Sequence, residues 1–199
     1  MDVQSAARAP GGAFGAAVSL GPAVPPFLEL AVGAGRGGGA AVAWGAGPAD
    51  PGLVVSARGA DGVWSAPAKV SEAPPGILLF ASDVHVAMNA RGDALAVWQE
   101  PDGLMSSDLP AGGAWSAPVL IAPSTGSILG ASVGLDDAGN ALVVVRAPDQ
   151  ATFNFRVMAY TRAAGAAAWS GPVALSPAGP TTGAPGLRAV SPNDRSGCV

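Results

Sequence analysis

Three aspartates occupy matching places along the chain: Asp50 in "GPAD", Asp102 in "EPDG" and Asp149 in "APDQ". Each carboxylate offers two acceptor oxygens, so three brought together could hydrogen-bond sugar hydroxyls or attract a cation. The competing reading is that each Asp only stabilises its own turn. Other chemistry finds little material. His85 and Cys198 are the only histidine and cysteine, so a His/Cys zinc site cannot be assembled within one chain and no intrachain disulfide can form. A Ser-His-Asp triad would have to use His85, which alternates with Val84 and Val86 as a packed or hydrogen-bonded strand residue, and no G-x-S-x-G context is present. "DDAGN" at 136–140 suggests a calcium loop, but Ala138 stands where an oxygen ligand is required. "RGD" at 91–93 falls on a turn, and its likeness to an adhesion motif reads as chance. Paired carboxylates for glycoside hydrolysis could still come from separate loops. The sequence therefore names Asp50, Asp102 and Asp149 as ligand-binding candidates, and no catalytic residue, metal or cofactor.

The elements that must carry these residues repeat. "DGVWSAPAKVS", "GGAWSAPVLIA" and "GAAAWSGPVALS" place Trp64, Trp115 and Trp169 at intervals of 51 and 54 residues, and "GGAFGAAVSLG" is a fainter copy with Phe14 in the tryptophan slot. Periods near 50 residues are the mark of stacked or circularly arranged repeats. Each unit reads as four short strands: a in "WSAPVLIA", b in "SDVHVAM" or "ASVGL", c in "DALAVW" or "NALVVV", d in "GLVVSAR" or "FRVMAYTR". Alternation in "VHVAM" indicates a strand, and the unbroken apolar run of "ALAVW" indicates burial on both faces. "NARGD" and "DDAGN" are tight b-to-c hairpins, with Gly92 and Gly139 where a positive φ is expected. The tryptophans read as wedges between neighbouring sheets, each followed by a proline at a strand start where no ladder N–H is needed. The a-to-b and c-to-d connections are longer and dissimilar, which places a recognition surface at that end.

Composition limits the partners. Hydrophobic residues make up 49% of the 199, enough for a core, while 29 glycines and 19 prolines recur periodically between apolar runs as turns do. Net charge is −4 with no basic cluster, which excludes the footprint that neutralises nucleic-acid phosphates. The longest apolar runs, "GILLFA" and "NALVVV", are far shorter than a membrane span of about 20 residues. The opening "MDVQSAARAPGG" lacks the basic-then-apolar order of a signal peptide.

Taken together, "GxWSxP", the Gly hairpin, "ALAVW" and "VxxAxR" resemble the sialidase-like, BNR-type β-propeller repeat proteins of bacteria, often exported and of unassigned function. The resemblance spans residues 13 to about 190. It implies an all-β propeller segment of four-stranded antiparallel blades, about three and a half repeats of roughly 50 residues: a tail at 1–12, then units 13–63, 64–114, 115–168 and a partial 169–199. It also implies an extracellular or cell-surface setting. That family's Asp-box places Asp five residues before the tryptophan, where this chain has Gly59, Pro110 and Ala164. Its enzymes pair a tyrosine with a glutamate and hold a substrate carboxylate with three arginines. Here only Tyr160 is available, and no motif ties it to Glu29, Glu72 or Glu100. The expectation is a non-catalytic binding or interaction module with a glycan or protein ligand. Its rivals are a sialidase-like glycoside hydrolase and a structural spacer of a larger surface protein. An incomplete ring would leave open edges for copies of the chain, or further blades, to close.

Overall fold

The computed structural model describes residues 2–9, 11–22, 29–46, 52–72, 81–124, 130–149 and 154–177. Among them every regular element is a strand. A two-stranded ribbon pairs β1 (Asp2–Ser5) with β2 (Val18–Pro22). Three four-stranded antiparallel sheets follow. The first runs β3 (Leu30–Ala34), β4 (Ala40–Gly45), β5 (Gly52–Arg58), β6 (Ala68–Glu72). The second runs β7 (Ser82–Met88), β8 (Ala94–Glu100), β9 (Gly103–Leu109), β10 (Val119–Pro123), and the third β11 (Ala131–Leu135), β12 (Ala141–Asp149), β13 (Asn154–Arg162), β14 (Ser170–Ala174). No described helix is long and apolar enough to cross a membrane.

The expected strands are present, but the sheets start one strand later than the sequence units. Each sheet is built as b, c, d and then strand a of the following unit. The cause is the turn chemistry. A short connection joins d to a, closed by N–H to C=O bonds such as Gly62 to Gly59 at 3.1 Å and Gly113 to Pro110 at 2.8 Å, and strands joined so tightly must pair with each other. The tryptophans precede the ladders of strand a, which begin just after Pro67 and Pro118. The segment 1–12, read from the sequence as a tail, contains a strand. Residues 2–5 form a strand d with its own strand a beside it, and Arg8 bridges Phe14 as Arg58 bridges Trp64. The expected last strands beyond residue 177, including Cys198, lie outside the described residues.

Strands β3 and β11 both pack on β7, so the first strands of the three sheets lie side by side. The glycines of "GAGRGGG" permit part of this. A Cβ on Gly35 would meet the Asn89 carbonyl oxygen at 2.2 Å, and one on Gly37 would meet that of Ala90 at 2.2 Å. The unbroken run of β8 is buried on both faces, as its composition demanded. Ala94, Ala96 and Trp98 face a core shared with the first sheet, and Leu95 and Val97 one shared with the third. A third core joins Val3 and Leu20 of the ribbon to Val42 and Trp44. Trp64, Trp115 and Trp169 each pack against one of these three cores, as wedges between sheets do.

Candidate functional site

The end of the sheets that carries the b-to-c hairpins and d-to-a turns is described almost completely, and it holds a cleft. Three hairpins lie at that end, and those of the first two sheets line the cleft. In the second sheet the Asn89 Oδ1 accepts N–H bonds from Arg91 and Asp93 at 3.0 Å each, and Gly92 supplies the positive φ of 93°. Its Nδ2 reaches the Asp136 carbonyl of the next hairpin at 3.0 Å, and the Ala90 N–H reaches the Asp137 carboxylate at 2.9 Å. Each hairpin also holds the d-to-a turn of its own sheet: Ala111 N–H donates to Asp93 and Ala164 N–H to Asn140, both at 3.0 Å. Burial acts to raise the Asp93 carboxyl, but the Asn89 amide, the Ala111 N–H and Arg91 outweigh it and hold it below its ordinary 3.8. In the first sheet the corresponding hairpin, "GRGGG", has Gly39 where Asp93 and Asn140 stand, so that position offers no side chain to the d-to-a turn.

The register of strand d exposes a second difference. Arg58, Leu109 and Arg162 are equivalent, each opposite the first alanine of its strand c: Ala40, Ala94 and Ala141. Arg8 belongs to the same set, since the turn that follows it has the same 3-residue closing bond. Three of the four stack a guanidinium on the following aromatic: Arg8 on Phe14 at 5.2 Å, Arg58 on Trp64 at 5.7 Å and Arg162 on Trp169 at 4.8 Å. At the junction of the second and third sheets this set is fully partnered. Arg162 donates two bonds to the Asp108 carboxylate, one of 2.7 Å, and the Trp169 indole N–H donates to the Ser106 hydroxyl at 3.1 Å.

One sheet earlier the same positions hold Leu109 for Arg162, Ala57 for Asp108 and Val55 for Ser106. The salt bridge and the hydroxyl are gone together. Between the first two sheets there is instead a cleft of about 590 Å³, walled by Ala57, Leu109, Trp64, Trp115, Arg58 and Asp61. The Trp115 Nε1 is buried without a partner, as the loss of a Ser106 equivalent requires. The Arg58 Nε is likewise buried and unpartnered, because Ala7 occupies the place that Asp108 fills for Arg162. Among the described residues Asp61 is the single carboxylate in the wall, and its Oδ1 accepts the Val63 N–H at 3.1 Å. Arg91 also lines the cleft, but two bonds of 3.0 and 2.8 Å commit its guanidinium to Asp93.

Of the three aspartates read from the sequence, only Asp102 is described with its side chain. Asp102 is exposed in the turn between β8 and β9, where its carbonyl accepts the Ser124 N–H at 2.9 Å. The backbone of Asp149 closes the β12–β13 ladder opposite Asn154, while its side chain, like all of Asp50, lies outside the described residues. The dissimilar a-to-b loops lie largely outside them too. His85 is a hydrogen-bonded strand residue as expected, its Nε2 2.9 Å from Asp83, whose φ of 50° accompanies a bulge in β7. Tyr160 packs beside the core of the second and third sheets, and burial raises its phenol above the ordinary value. Glu100 accepts bonds from the Ser71 hydroxyl and, at 2.6 Å, from the Trp98 indole, and makes none to Tyr160. Among the described residues no three His, Cys, Asp or Glu side chains gather as metal ligands would. Sequence reasoning passed over Arg58 and the Trp115 N–H. The available signal was the recurrence of Arg six or seven residues before the aromatic, broken only at Leu109. Comparison with family models and with curated proteins finds no match for this chain.

Proposed function

We propose that the chain is an arc of a β-propeller and serves as a non-catalytic binding module with a carbohydrate ligand. The side-by-side packing of β3, β7 and β11, with strand a closing each sheet on its far edge, supports the propeller reading. The observation that carries the function is the cleft between the first two sheets. It has two indoles in its wall and hydrogen-bond donors without partners, which suits a ligand with apolar C–H faces and many oxygens. Its single carboxylate favours binding over hydrolysis, since glycoside cleavage takes two carboxyl groups about 5 to 10 Å apart. A mere spacer has no need of such a cavity.

A glycan array probed with the purified chain tests the reading, alongside Ala60→Trp, which places a large ring at an exposed position of the cleft wall. Glycan binding that disappears in the folded Ala60→Trp protein is the expected result. Absence of any glycan binding by the unaltered chain, or binding untouched by Ala60→Trp, would refute it.

A further inference from the structure

The partnered junction of the second and third sheets shows what the cleft lacks. There, a guanidinium is answered by a carboxylate, Arg162 by Asp108, and an indole N–H by a hydroxyl oxygen, Trp169 by Ser106. In the cleft wall, Arg58 and Trp115 present the same two donor types, and no described residue supplies either acceptor: Ala7 and Val55 occupy the places of Asp108 and Ser106. Buried donors left unmade are costly, so a ligand that brings both acceptors gains more than one that brings either alone.

Resting on the binding-module reading above, we propose that this cleft takes a sugar acid of the uronate type, its carboxylate bound by Arg58 and a ring hydroxyl oxygen by the Trp115 indole. A pyranose uronate carries a carboxylate and hydroxyls on one rigid ring, and its C–H face can lie against an indole. Charge agrees with this occupant. Arg91 is neutralised by Asp93, and Asp61 is held in its own turn, while the Arg58 guanidinium stacks on Trp64 and its Nε has no partner among the described residues. A pair of charged hydrogen bonds to a carboxylate is the strongest contact open to a guanidinium. An acidic peptide would offer the carboxylate too, but the glycines and alanines of the wall give little with which to read a peptide side chain by side chain.

Calorimetric titration of the whole chain with trigalacturonate, maltotriose and a hexaglutamate peptide tests the assignment. The variants are Arg58→Met, which keeps the stem and removes the charge, and Trp115→Phe, which keeps a ring and removes the N–H. Trigalacturonate should bind the unaltered chain; Arg58→Met should weaken it about tenfold or more, the worth of one charge-assisted hydrogen bond, and Trp115→Phe about fivefold, the worth of a neutral one. The affinity should also fall as salt is raised from 50 to 500 mM, a readout that needs no variant to fold. The assignment is overturned if trigalacturonate does not bind, if Arg58→Met or the salt series leaves its affinity unchanged, or if maltotriose or hexaglutamate binds as tightly. Maltotriose binding that Ala60→Trp removes would overturn the acid while leaving the binding module in place; no binding of any saccharide would remove both.

Discussion

The ion pair between Arg162 and Asp108 joins the second and third sheets, and the molecule contains its own control for removing it. The Arg162 side chain is 9% exposed and that of Asp108 is 30% exposed, so the pair is largely but not wholly withdrawn from water. Asp108→Ala would leave the guanidinium buried and unanswered. Breaking a fully buried pair in this way costs about 3 to 5 kcal/mol, and the partial exposure of Asp108 reduces the expected loss to about 2 to 3 kcal/mol. With a urea dependence of about 2 kcal/mol per molar, the unfolding midpoint should fall by about 1 to 1.5 M. The double change Asp108→Ala with Arg162→Leu recreates the Ala57 and Leu109 combination that the first two sheets already tolerate. It gives up the stack on Trp169, worth about 0.5 to 2 kcal/mol, and gains a buried Leu side chain, worth about 1.5 to 3 kcal/mol. The double variant should therefore lie within about 1 kcal/mol of the unaltered protein, more stable than Asp108→Ala alone. Urea titrations followed by tryptophan fluorescence measure all three. If the double variant is as unstable as Asp108→Ala, or if Asp108→Ala loses under about 0.5 kcal/mol, the junction is not held by this pair.

The tryptophans should rank by burial. Trp98→Ala, at 0% exposure, should cost about 3 to 5 kcal/mol in the same assay, the half-buried Trp115→Ala less, and Arg91→Ala on the exposed hairpin under about 0.5 kcal/mol. Gly35→Ala should lower the melting temperature sharply, because its Cβ has a carbonyl oxygen at 2.2 Å, whereas Gly134→Ala, with nothing within 4 Å, should not. The Asn140 amide, opposed by slight burial and helped by the backbone N–H groups of Asn140, Ala138 and Gly139, holds the Asp136 carboxyl below its ordinary 3.8. A carboxyl lowered on folding stabilises above its unfolded value. The stability difference between the unaltered chain and Asp136→Ala should thus be constant above about pH 5 and shrink as pH falls below 3.8, which a urea series from pH 6 to pH 2.5 would show.

How far this architecture can be read from the sequence depends on whether a feature is local. The hairpins were legible because "NARGD" and "DDAGN" carry their own hydrogen-bond partners within five residues, and the bonds of Asn89 and Asp136 are those the side chains dictate. The double-sided burial of β8 was legible because an unbroken apolar run leaves no polar face. The boundary of the sheets was not. A period counted from tryptophan fixes the length of the repeat but not which strand begins a sheet, and that is decided by the pairing of d with a across a tight turn. Strand β1 was missed for a related reason: "DVQSAAR" has little apolar content, and only its Arg8, in register with Arg58, marks it as strand d.

The cleft follows from differences between copies of the repeat. A junction between sheets needs acceptors from one sheet for the guanidinium and indole of the next, so a residue on one strand decides whether a donor about 50 to 60 residues away is answered. Val55 in place of serine is silent in its own sheet, where it joins the apolar core at 0% exposure, and its consequence falls on Trp115. Ala7 likewise takes its effect at Arg58. Asp50, Asp102 and Asp149 recur at equal positions, as residues that the repeat keeps alike. A set of groups that satisfies itself at one junction has no capacity left for a ligand, so unfilled donors stand where one junction differs from its copy. The junction of the second and third sheets is satisfied in this sense, with Arg162, Asp108, Ser106 and Trp169 bonded to one another. The junction of the first two sheets holds the same wedge without those acceptors, and its unfilled donors are the local property that sets it apart.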